Sequence, residues 1–224
     1  MRSLPLPLAL TARLSPVVVL AVAGWALSSG PAATANSGST EGSSTSAAGD
    51  SAAPAASSAA PAAKTYDAAP APCSGVPEAT VKSLVPGAKT SGKEIPSTDS
   101  RLRRTCSWNA LKGYDYRWLD VSYEVAASDE AAAKEYEQRV AEKSGGGTVP
   151  GLGDGGYSVV NLATEDKQQT REGVVLARAA NALVVITYSG SDFENKKAPE
   201  TAEINKGAIK AAKDAVAALR GGAK

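Results

Sequence analysis

Between residues 119 and 125 every second position is apolar. Leu119, Val121, Tyr123 and Val125 alternate with Asp120, Ser122 and Glu124, and Trp118 falls on the polar side. That period of two predicts a half-buried strand over Trp118–Val125. Thr105–Asn109 precedes it across a loop at Lys112-Gly113, so the two stretches read as a hairpin. The period then changes. Ser128 is placed to cap a helix of about 15 residues, with Asp129 and Glu130 in its first turn. Ala132, Tyr136 and Val140 form its apolar face, and Gly145–Gly147 stops it.

The second half repeats the scheme. Tyr157–Leu162 reads as a strand, and Val174–Ala179 and Leu183–Tyr188 as a hairpin turning at Ala180-Asn181. A last helix is predicted from Pro199 to Leu219, with Ile204, Ala208, Ala212, Ala215 and Leu219 on one stripe. A shorter helix starts at Pro77, buries Val81, Leu84 and Val85, and ends at Pro86-Gly87. Strand pairs followed by a helix, twice, predict an α+β domain: an antiparallel sheet of about five to six strands covered by about three helices.

This domain is placed at residues 73–224. Residues 36–72 contain no Val, Ile, Leu or Phe and are dominated by Ala, Ser, Gly, Thr and Pro, the composition of a disordered linker. Residues 1–35 read as an export signal. Arg2 and Arg13 precede or flank an apolar run at Val17–Leu27, and Ala33-Thr34-Ala35 has the small-x-small form that a signal peptidase accepts. The run is short against the roughly 20 residues needed to span a bilayer. Counting Leu4–Leu14 lengthens it, so cleavage after Ala35 and retention as an N-terminal membrane anchor both stay open. The expected location is extracytoplasmic: secreted, or tethered to the outer face of the cytoplasmic membrane.

Charge narrows the partners. The chain holds 24 basic and 23 acidic residues, and loss of Arg2 and Arg13 with the signal leaves 22 against 23. No basic excess is left for a nucleic acid or an anionic membrane surface. The two cysteines, Cys73 and Cys106, on the exported side read as one disulfide; two buried thiols are the alternative.

Chemistry is scarce. The chain has no histidine, which excludes Ser-His-Asp and Cys-His catalysis and the commonest zinc ligands. Asp115, Asp120, Glu124 and Asp154 are the carboxylates available to a glycosidase-like site, and no calcium-loop spacing accompanies them. No cofactor and no metal are expected. Gly151–Gly156 reads GLGDGG, a match to the dinucleotide fingerprint G-x-G-x-x-G. That motif needs a strand before it and a helix after it, and here the order is reversed. The stretch is read as a sharp turn whose glycines supply positive φ and close backbone approach.

The stretch 101–120, RLRRTCSWNALKGYDYRWLD, has the most unusual composition. Trp108, Tyr114, Tyr116 and Trp118 are interleaved with Arg101, Arg103, Arg104, Lys112 and Arg117. Trp118, Tyr116, Trp108, Arg103 and Arg117 are therefore the candidate ligand surface, for a carbohydrate, an anionic polymer or a protein. The alternative is a hairpin whose aromatics pack beside the disulfide while its arginines face water.

Pro72-Cys73-Ser74, the helix ending at Val85-Pro86-Gly87, Cys106-Ser107-Trp108, Leu119–Tyr123, Val149–Asp154 and the hairpin Val174–Tyr188 together resemble an actinobacterial family of exported cell-envelope domains of unknown function, many of them lipoproteins. The resemblance covers residues 73–219. It implies a Cys73–Cys106 disulfide and no known catalytic residue. Family members commonly carry a lipidated N-terminal cysteine, which this chain lacks. The function expected is an exported, non-enzymatic envelope domain that binds a ligand or protein partner, with a sensor-like role. A carboxylate-dependent envelope hydrolase and a purely structural envelope protein are the alternatives.

Overall fold

A computed structural model describes residues 64–222. The expected signal and most of the expected linker lie outside these residues. The strands are β1 (Lys93–Ile95), β2 (Arg103–Lys112), β3 (Asp115–Val125), β4 (Gly147–Thr148), β5 (Gly155–Glu165), β6 (Gln168–Ala179) and β7 (Ala182–Asp192). The helices are α1 (Glu78–Leu84), α2 (Asp129–Ala141) and α3 (Thr201–Gly222). One antiparallel sheet of seven strands runs in the order β1-β2-β3-β7-β6-β5-β4.

The α+β class is as expected, and the strand count corrects the expected five to six. The additions are the two edges, β1 and β4. At three and two residues, and exposed along their length, they are too short to carry an alternation.

The β3 alternation sorts the sheet into two faces. Leu119, Val121 and Tyr123 lie on one face with Trp108, Val184, Ile186 and Tyr188, all buried, and α3 lays Ile204, Ala208, Ala212 and Ala215 over them. Small residues on α3 allow close approach: a Cβ at Gly207 would meet the Tyr188 ring. Both buried phenols find carbonyls, Tyr123 donating to Ala215 at 3.0 Å and Tyr188 to Leu84 at 2.8 Å. Burial lifts the Tyr188 hydroxyl to about 12, and that of Tyr123 further still. Cys73, in a short 3-10 helix at Pro72–Ser74, is disulfide-bonded to Cys106 on β2.

The opposite face is only partly covered. Ser128 caps α2 by accepting from the Ala131 N–H at 3.1 Å, and α2 packs against β6 and β7. Arg139 ties it to Glu124, and the Tyr157 hydroxyl reaches the Lys143 carbonyl just beyond its end. Tyr136 and Val140 are half-buried, so this helix sits more loosely than α3.

The ordered domain starts earlier than the expected boundary at Cys73. Tyr66 and Ala69 belong to the core, so residues 65–72, read as linker, form a docked strap. Asn181 makes the attachment. Its side-chain oxygen accepts from the Thr65 and Tyr66 N–H groups, and its amide donates to the carbonyls of Tyr66 and Ala126.

Candidate functional site

The unusual stretch at 101–120 becomes the hairpin β2–β3. Register decides what each of its residues does. Trp108 pairs with Leu119, and Asn109 with Trp118, so the two tryptophans stand on opposite faces.

Trp108 is not a surface residue. It is 1% exposed, donates its indole N–H to the Thr90 carbonyl at 2.9 Å, and packs with Cys106 against Gly92. Arg117 also leaves the candidate surface. Next to Trp118 in a strand, it points to the α3 side, where it meets Glu203 at 2.7 Å and Asp115 at 3.3 Å. Its role is to fasten the start of α3 to the sheet. For these two residues packing accounts for the composition.

Trp118, Tyr116 and Arg103 share the face away from α3. Trp118 is 41% exposed, yet its indole N–H is held by Ser107 Oγ at 2.8 Å and Asp120 Oδ1 at 2.7 Å. The ring's polar handle is therefore satisfied within the protein. What it offers outward is an apolar π surface, fixed in place by two neighbours on the same strands. Tyr116 stacks obliquely on Phe193, with ring centroids 5.9 Å apart, farther along the same face. Arg103 pairs with Glu124 at 3.4 Å.

A groove of about 480 Å³ opens beside Trp118. Ile95 and Leu102, both exposed, form apolar walls; Thr105 and Asp120 contribute polar groups, and Arg103 stands at the lining. Asp120 joins the two features, because it lines the groove and holds the Trp118 ring. Ser107, Ile95, Leu102 and Phe193 went unnoticed as site residues in the sequence. Their membership depends on register and on β1, neither of which leaves a local pattern.

The carboxylates singled out from the sequence do not converge. Glu124 is occupied by Arg103 and Arg139, and Asp115 by Arg117. Asp154 accepts from the Ala180 N–H at 2.6 Å and from Arg220 at 2.8 Å, which binds its loop to the β6–β7 turn and the end of α3. Among the described residues there is no cluster of three or more acidic or cysteine side chains able to hold a metal. No helix among them is long and apolar enough to cross a membrane.

No family model matches the chain, and no curated protein matches it. Among solved structures, a crystal structure from Bacteroides thetaiotaomicron VPI-5482 is similar in part, at 11% identity and a TM-score of 0.32. The match covers 53% of this chain and 47% of that one, so it spans about half the length of each.

Proposed function

We propose that this chain is an exported, non-enzymatic domain of the cell envelope that binds a ligand or protein partner on the sheet face around Trp118. The observation that carries the reading is the exposed Trp118 ring, locked by Ser107 and by Asp120, the second of which also lines a groove with apolar walls. A pre-positioned aromatic beside a concave surface is the usual makeup of a recognition site, since little side-chain entropy remains to be lost on binding. Export is supported by the signal-like pattern of residues 1–35 and by the disulfide, a bond kept in oxidising compartments. The short motifs shared with actinobacterial envelope domains support the same compartment.

A hydrolase fits less well. Such an enzyme needs two carboxyl groups facing one bond, and here Glu124, Asp115 and Asp154 are each engaged with arginines of the fold.

The test is co-sedimentation of the purified protein with insoluble cell-wall material, followed through tryptophan emission. Trp118→Ala is expected to weaken retention at least fivefold with little loss of stability. Trp108→Ala instead should lower stability by about 3–5 kcal/mol, as truncation of a buried aromatic does. Equal retention by wild type and Trp118→Ala sinks the site. Release of soluble sugar that is lost in Asp120→Asn favours the hydrolase.

A further inference from the structure

Residues 101–120 are rich in arginine, yet the surface they build beside Trp118 is not basic. Register turns Arg104 and Arg117 to the α3 side of the sheet, where they pair with Glu94 and Glu203, each at 2.7 Å. Arg103 stays on the Trp118 side. There Arg103 and Arg139 are balanced by Glu124 and Glu135. Arg101 and Lys93 have no ion pair among the described residues, and neither of them lines the groove beside Trp118.

The charge left at the site is negative. Asp120 lines the groove and touches Trp118, its Oδ1 accepting from the indole N–H at 2.7 Å. Its Oδ2 has no hydrogen-bond or ion-pair partner among the described residues. Asp99 lines the same groove, and its side chain is bonded only to the Arg101 main-chain N–H.

The contact between Trp118 and Asp120 sets the sign of the ligand. An indole is negative over its faces and positive at its edge. Here a carboxylate occupies the positive N–H edge and pushes electron density into the ring. The exposed face therefore draws a cation more strongly than an isolated tryptophan does. An anionic group on that face would meet the ring and the Asp120 charge together.

We infer that the Trp118 site takes a basic side chain, arginine above all, from an extended segment of a partner protein. This names the ligand of the surface proposed above and rests on that reading. The guanidinium lies flat on the exposed indole and donates to Asp120 Oδ2, two contacts that its planar fork makes at once. Ile95 and Leu102 in the groove receive an apolar neighbour of that arginine, and Asp99 a second basic side chain. A lone ammonium ion would use the ring and leave the apolar walls bare, so a chain segment is the occupant that matches both charge and shape.

The probe is an eight-residue peptide of alternating arginine and leucine, labelled with fluorescein at one end and amidated at the other, titrated into the full exported protein. Binding is expected, and Trp118→Ala should weaken it about tenfold. Asp120→Asn should weaken it by a similar factor, because asparagine still accepts from the indole N–H and loses only the charge; it also covers a Trp118→Ala protein that fails to fold. Glu165→Gln, the same loss of charge at the end of β5, should leave binding unchanged. Equal weakening by Glu165→Gln and Asp120→Asn overturns the proposal in favour of attraction by net charge. Cell-wall retention that needs Trp118, with no binding of the arginine peptide, overturns the basic segment and leaves the surface standing. Competition of that retention by a neutral oligosaccharide of N-acetylglucosamine then assigns the surface to a glycan. Peptide binding and retention both indifferent to Trp118→Ala remove the surface itself.

Discussion

Asn181 accepts from the main-chain N–H of Tyr66 at 2.8 Å and returns its own amide to the Tyr66 carbonyl at the same distance. One side chain thus imitates a strand for a segment 115 residues away in the chain. It is fully buried, and it also reaches Ala126, so it links the strap, the end of β3 and the start of β7.

Replacing Asn181 with Ala would orphan four main-chain groups at once. The expected loss is about 2–4 kcal/mol in a denaturant titration. Deleting the chain through Tyr66 should cost less than that, and in the deleted protein Asn181→Ala should add little. Full additivity of the two changes would show that they do not act through this contact.

The disulfide closes a separation of 33 residues between Cys73 and Cys106. On the chain-entropy account its removal destabilises by about 3–4 kcal/mol. Cys73→Ser with Cys106→Ser should therefore shift the denaturation midpoint strongly. A shift under about 1 kcal/mol would mean that the strap and the 3-10 helix are held by packing alone.

The glycine-rich loop separates two kinds of glycine. Gly151 and Gly153 both have positive φ, at 70° and 65°. A Cβ at Gly151 points into open space, whereas one at Gly153 would overlap the Arg178 carbonyl oxygen. Gly151→Ala should cost about 1 kcal/mol and Gly153→Ala about 3 kcal/mol or more. Equal costs would refute the close approach as the reason for the second glycine. The match to a dinucleotide fingerprint is accounted for here by packing: the Asp154 N–H donates to that same carbonyl at 2.7 Å.

Alkaline pH should find the buried phenols. The Tyr188 hydroxyl is lifted to about 12 by burial, and Tyr123 is raised by the same cause. A raised folded-state value means that stability is complete below the unfolded value near 10 and declines as pH climbs towards 12. Tyr188 alone accounts for about 2–3 kcal/mol of that decline. Denaturation midpoints measured from pH 8 to 11.5 should stay level to about pH 9.5 and then fall. A level profile throughout would show that the phenols are solvated.

Much of this architecture was legible because β3, α1 and α3 bury one side only, and one-sided burial writes its period into the sequence. The length of β5 and β6 was not legible. Asn161–Glu165 and Gln168–Arg171 extend past the reach of α3, so both faces are polar or exposed; the ladder between them keeps them extended, and bonds from Gln168, Thr170 and Arg171 to Asp192, Ser191 and Pro199 add to it on the β6 side. The same reason hid Tyr66, a lone aromatic in an alanine- and serine-rich stretch whose partner lies far along the chain. Composition left two places open for Trp108, on the surface or packed beside the disulfide, because it cannot report register. Once Trp108 pairs with Leu119 it must face the core, and once Asn109 pairs with Trp118 the other tryptophan must face outward.

The entry of the chain into the domain has a mechanical consequence. A pull applied N-terminally to Lys64 would first load the Asn181 clamp, which can peel one bond at a time. It would then arrive at Cys73, whose covalent link passes the force sideways into β2, inside the sheet. Beyond that point the load is carried by β2, which is paired on both sides, to β1 and to β3. Such a pull would strip at most the eight-residue strap 65–72 before meeting a structure that resists as a unit.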